Sequence, residues 1–91
     1  MTIRMIKLVA EFLGAFALLS SIFFVGSWYV IGATLALIVY AIGNVSGAHV
    51  NPAVSFAFWL KGGLTTHEFF SYAVVQMLGA AAALYAFNML A

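Results

Sequence analysis

Few residues of this sequence can do chemistry, and most of them stand within or between long apolar stretches: Glu11, His49, Asn51 and Gln76. Glu11 is the one acid deep enough in an apolar run to need a named partner. Lys7, four residues earlier, can supply one if both lie near a membrane surface. Asn51 followed by Pro52 makes a good helix opening, because Asn caps free backbone N–H groups and Pro fits the first helical position. Once its oxygen is used for capping, the Asn51 side chain still has an NH₂ to donate. His49 has no second His, Asp or Glu at ligand spacing, so it reads as a loop histidine hydrogen-bonded to nearby backbone, and no metal is expected. His67 lies in a polar connector and reads as solvated or interfacial. There is no cysteine, which removes thiolate ligands, disulfides and a Cys nucleophile together. No Ser/His/acid set is visible. The chemistry on offer is recognition by hydrogen bonding, with no cofactor and no catalysis.

The elements that must position these groups are written in hydropathy. Of 91 residues, 67% are hydrophobic and 5% charged, and the mean hydropathy is +1.20, which excludes an ordinary soluble domain. A net charge of +1 without a basic stripe gives no nucleic-acid partner. Three spans are expected, at about residues 6–25, 29–45 and 68–90, with a polar string and a short helix at 46–61, all in one unit covering 1–91. Gly26-Ser27 makes the first two spans a tight hairpin, and Trp28 and Tyr29 suit a membrane interface. A signal peptide has a similar start, but Glu11 within the apolar run and the lack of a soluble domain to export argue against one. The apolar run from Ala53 to Leu60 stops at Lys61-Gly62-Gly63 and makes a helix about 15 Å long, half of a bilayer core of about 30 Å. Its positive N-terminal end would therefore lie near the midplane. Non-helical backbone at that depth is tolerated only where protein buries it or a water-filled cavity solvates it. The pattern implies a pore or a cavity in an all-α integral membrane protein of a plasma or inner membrane.

Arg4 and Lys7 precede the first span and Lys61 follows the second, so all three cations fall on one side, which the positive-inside rule makes cytoplasmic. Small residues four apart, Ala10 and Gly14, Gly32 and Ala36, Gly79 and Ala83, offer faces on which helices approach closely, some of them between chains. Phe58 and Trp59, near the end of the short helix, are candidate interface anchors.

The string Ser46-Gly47-Ala48-His49-Val50-Asn51-Pro52-Ala53-Val54 resembles the first pore loop of the aquaporins, the major intrinsic proteins, with their Asn-Pro-Ala signature. The resemblance runs over nearly the whole chain and covers half of an aquaporin, a family built of two fused, inverted halves. It implies that Asn51, Pro52 and Ala53 are the pore signature and that Ser46, Gly47 and His49 belong to the pore loop. It also implies that Glu11, within Ala10-Glu11-Phe12-Leu13-Gly14-Ala15, hydrogen-bonds the loop backbone as a brace. Gln76, within Gln76-Met77-Leu78-Gly79-Ala80, has the same role. The constriction positions map to Ile31, Ala48 and Val54. In aquaporins an Arg usually follows the Asn of the second pore loop by three residues; Val54 stands in that place here, so the constriction would be apolar and without fixed charge.

The resemblance further implies a passive channel for water and small neutral solutes. A complete pore of this kind needs two half-helices meeting from opposite faces, and one pore loop is present. A second copy in opposite orientation is the preferred partner, as an inverted repeat left unfused, and a different second half is the alternative. Clustering of four pores, as in the family, would take roughly eight copies within the lipid. Two other classes compete. A small proton-coupled exporter would use Glu11 as its proton-binding carboxylate, and a holin-like oligomer would assemble through the small-residue faces. Neither requires Asn51-Pro52-Ala53.

Overall fold

A computed structural model describes residues 1–91 as four helices: α1 (Ile3–Phe24), α2 (Trp28–Ser46), α3 (Pro52–Leu60) and α4 (Thr66–Leu90). Three of them, of 22, 19 and 25 residues, are long and apolar enough to cross a membrane, and α3 is not. Each boundary has a local cause. Thr2 opens α1 by accepting from the Met5 amide. Gly26, at φ +78°, closes it, with the Gly26 amide on the Ser21 carbonyl. Gly47 ends α2 in the left-handed region at φ +92°. Thr65 and Glu68 form a reciprocal capping box that starts α4 two residues before the apolar run. That box, and the Thr2 cap on α1, explain why both helices begin earlier than hydropathy alone suggests.

The centre of the fold is the α1–α4 pair. The two helices run parallel, since Glu11 meets Gln76, Ala15 lies beside Gly79, and the Phe24 ring meets that of Phe87. Small residues let them approach: Gly79 on α4 lies against Ala15 and the Phe12 and Phe16 backbone of α1, and Ala10, Ala15, Ala73 and Ala83 are buried on the two helices. Gly79 decides the spacing, because a Cβ there would stand 2.5 Å from the Phe12 carbonyl oxygen. Helix α2 packs on α1 and α3 packs on α4, but α2 and α3 do not touch. Gly32 and Ala36 on α2 are exposed, with no neighbour within 4 Å of a Cβ at Gly32. Large apolar residues such as Leu13, Leu37, Val74 and Leu84 point outward, as they do in a protein surrounded by lipid.

Helix α3 runs back beside α4. Ser55 in its first turn meets Gln76, about 15 Å along α4 from its start at about 1.5 Å per residue. Trp59, near the end of α3, lies over Phe69 and bonds Thr66 in the first turn of α4. The short helix thus begins about half a bilayer deep and ends at the membrane face where α4 begins. Phe58 stacks its ring on His49 at 4.6 Å while part of it stays exposed, with the Lys61 ammonium 5.7 Å from the ring centroid.

Candidate functional site

The loop from Gly47 to Asn51 holds backbone polar groups at a depth where water is scarce, so each needs a partner. Glu11, fully buried on α1, satisfies several of them. Its Oε2 accepts from the Ser46 hydroxyl at 2.6 Å and from the His49 amide at 3.0 Å. Its Oε1 accepts from the Val50 amide at 2.7 Å and from Gln76 Nε2 at 2.8 Å. All four partners are donors, which is the set that an acceptor-only carboxylate requires. Lys7 is not among them.

The loop holds its shape at a cost in backbone strain. Ala48 and Val50 have φ of +51° and +46°, a region that a β-branched residue such as Val50 seldom enters. Two anchors hold Val50 there: the bond to Glu11, and a cluster with Ile38 and Ala48 against which Ala17, Leu18 and Ile42 pack. A Cβ at Gly14 would come within 2.5 Å of the Val50 side chain, so only glycine admits the loop at that point of α1.

A second tier joins α3 to the loop. Gln76 Nε2 also donates to Ser55 Oγ at 2.9 Å, and that oxygen lies 2.9 Å from His49 Nδ1. His49 therefore bonds a side chain on α3, where nearby backbone was the expectation; its ring is stacked on Phe58 and edged by Tyr72. The Tyr72 hydroxyl donates to the Ser46 carbonyl at 2.7 Å. Ser55 and Tyr72 do not stand out in the sequence as members of the site. Each carries a signal all the same: Ser55 is one turn from Asn51 in an otherwise apolar helix, and Tyr72 is four residues from Gln76 on the same face of α4.

Asn51 caps α3, its Oδ1 accepting from the Ala53 amide at 2.8 Å, with Pro52 at the first helical position. Its NH₂ makes no bond within the chain, and Asn51, Ala53 and Val54 form an exposed edge. The carbonyls of Gly47, Ala48, His49 and Val50 accept no hydrogen bond from the protein either. Of these residues Gly47 and Asn51 are exposed, beside the opening between α2 and α3, while Ala48, His49 and Val50 are buried. One copy does not bring the three constriction positions together. Ile31 is half-buried in the first turn of α2, at the far end from the loop, Val54 is on α3, and the Ala48 methyl is buried with Ile38 and Val50. No group of three His, Cys, Asp or Glu side chains is placed to hold a metal ion.

Three membrane-length helices, a strained loop hung on a buried carboxylate and a half-length helix that opens on Asn-Pro define a membrane protein of the half-helix class. The chain belongs to the major intrinsic protein family, whose model matches residues 19–90. It is 37% identical to Aquaporin Z of Photorhabdus laumondii over 87% of its own length and 42% of that protein's. It is 38% identical to Aquaporin Z of Brucella melitensis, over 85% of this chain and 40% of the relative. It is 47% identical to the lens fiber major intrinsic protein of Homo sapiens, over 56% and 19%. The chain thus spans about two-fifths of the length of the relatives it matches most broadly. No solved structure matches it.

Proposed function

We propose that this chain is one half of a passive membrane channel for water and small neutral solutes. The observation that carries the reading is the free Asn51 NH₂ at the positive end of a half-length helix, at mid-membrane depth. A water molecule there accepts from Asn51, while the unpaired loop carbonyls offer it acceptors on the approach. The helix end opposes cations and protons. Glu11 and Gln76, with Ser46 and His49, hold the loop so that these groups keep their places. Val54, at 38% exposure on the same edge, brings no charge to the pore, so selectivity against other neutral solutes is lower than in a family member with Arg at that place.

The opening between α2 and α3 is closed by a second half, and a second copy inserted in the opposite orientation supplies it. Two chains then place Ile31, Val54 and Asn51 around one lumen twice over, about an axis in the membrane plane. Glu11 does not suit the exporter reading, because it is enclosed and already holds four donors.

The test is osmotic water permeability of liposomes holding the purified chain. A rate well above that of empty liposomes is expected, and no increase would remove the water-channel reading. Thr2→Cys, in a chain without other cysteines, reads the topology: labelling from both sides is expected, and labelling from one side only would rule out the inverted homodimer.

A further inference from the structure

We propose that the N-terminal ends of α1 and α4 form a binding site for one anionic phospholipid, its phosphate in a basic cavity and an acyl chain in the groove that continues from it. Because α1 and α4 are parallel, their first turns lie at the same membrane face. Between them is a cavity of about 190 Å³ whose wall includes Arg4, Lys7, His67, Glu68, Ser71 and Tyr72. Arg4 and Lys7 are one turn apart and share a helix face. Glu68 is the one acid of the wall, and its carboxylate is turned back onto the Thr65 amide at 2.8 Å in the capping box; neither cation forms an ion pair with it. The cavity therefore keeps a positive charge, with the Ser71 hydroxyl and the His67 ring beside it. A phosphodiester supplies the acceptor oxygens and negative charge that an Arg–Lys pair recognises.

What points to a lipid, and not to a soluble anion, is the continuation. A groove of about 390 Å³ shares Leu8, His67 and Ser71 with the cavity and adds Phe70, Val74 and Val75. Val74 and Val75 lie one turn deeper along α4 than Ser71, so the wall passes from charged to apolar in the direction of the bilayer centre. That is the order of a phospholipid from headgroup to tail.

The site is tested by native mass spectrometry of the full chain in detergent with equal amounts of phosphatidylglycerol and phosphatidylcholine. Preferential retention of phosphatidylglycerol is expected. Arg4→Gln with Lys7→Gln should weaken it roughly twenty-five-fold, at about fivefold for each interfacial cation. Val74→Trp, which fills the groove and leaves the charges, should also release the lipid. Lys61→Gln removes a cation outside the cavity and should change nothing. Far-UV circular dichroism shows that each variant keeps its helices. Equal retention of the two lipids, or a loss with Lys61→Gln as large as with the cavity variants, would overturn the proposal. So would release of the lipid by excess inorganic phosphate, or an unchanged Val74→Trp, since either would leave an anion site without a tail groove.

Discussion

Glu11 holds two loop amides, one hydroxyl and one side-chain amide with two oxygens, and nothing else in the chain can replace it. Glu11→Gln keeps the shape but turns one oxygen into a donor, which then faces two donors already in place. Two buried donors left without an acceptor predict a stability loss of about 2–4 kcal/mol in a denaturant titration in detergent. An unchanged midpoint would show that Glu11 does not hold the loop. Ser55→Ala is a milder case: Gln76 keeps Glu11, while His49 Nδ1 loses its partner, so a loss of about 1–3 kcal/mol is expected. At this scale, legibility follows chemistry. Glu11 and Gln76 stand out because such groups are rare in apolar segments. Ser55 and Tyr72 do not, since Ser is common in membrane helices and Tyr at their ends, and only the depth at which α3 lies against α4 makes them partners.

At the scale of elements, two glycines on different helices predict opposite outcomes. Gly79→Ala puts a methyl 2.5 Å from the Phe12 carbonyl and 3.1 Å from Ala15 Cβ, both on a backbone that cannot turn aside. The α1–α4 pair must separate, at a cost of about 1–3 kcal/mol read as a lower melting temperature. Gly32→Ala meets nothing within 4 Å and should leave the melting of the chain's own fold unchanged. If the exposed Gly32–Ala36 face of α2 docks on another chain, the same variant lowers the mass of the purified assembly. Unchanged mass would place the contact elsewhere. The small-residue pattern in the sequence identifies all these faces alike, but cannot say which are used within the chain; packing makes that division, with α1 and α4 inside and α2 outside.

At the scale of the whole molecule, the open side between α2 and α3 is the dominant feature, and the proposed pore exists only when it is closed. Asn51→Asp replaces the free NH₂ with an acceptor and a negative charge. Osmotic permeability in liposomes should fall about tenfold, the equivalent of one hydrogen bond of about 1.4 kcal/mol, or the pore should begin to admit cations. Unaltered water flux without cation leak would show that Asn51 does not face the permeating water. The mass of the assembly, and whether it holds one or two kinds of chain, tests the second copy directly. Roughly eight identical chains fit four clustered pores.

Hydropathy by itself determined that this is a membrane protein with three spans and a short fourth helix, because burial in lipid demands long apolar stretches and leaves a record of their length. The sequence also located the Asn51-Pro52 helix start, because capping is local and needs only neighbouring residues. Only the tertiary structure decided what each polar group meets. The bonds from Glu11 reach 35 to 65 residues along the chain, and no local pattern encodes such distances. Nor does any local pattern encode that α1 and α4 are packed closely enough for a buried carboxylate to hold a strained Val50 in place. Along the chain the Asn-Pro string is a helix opening; in the fold it is the exposed end of a network whose other end is buried on α1.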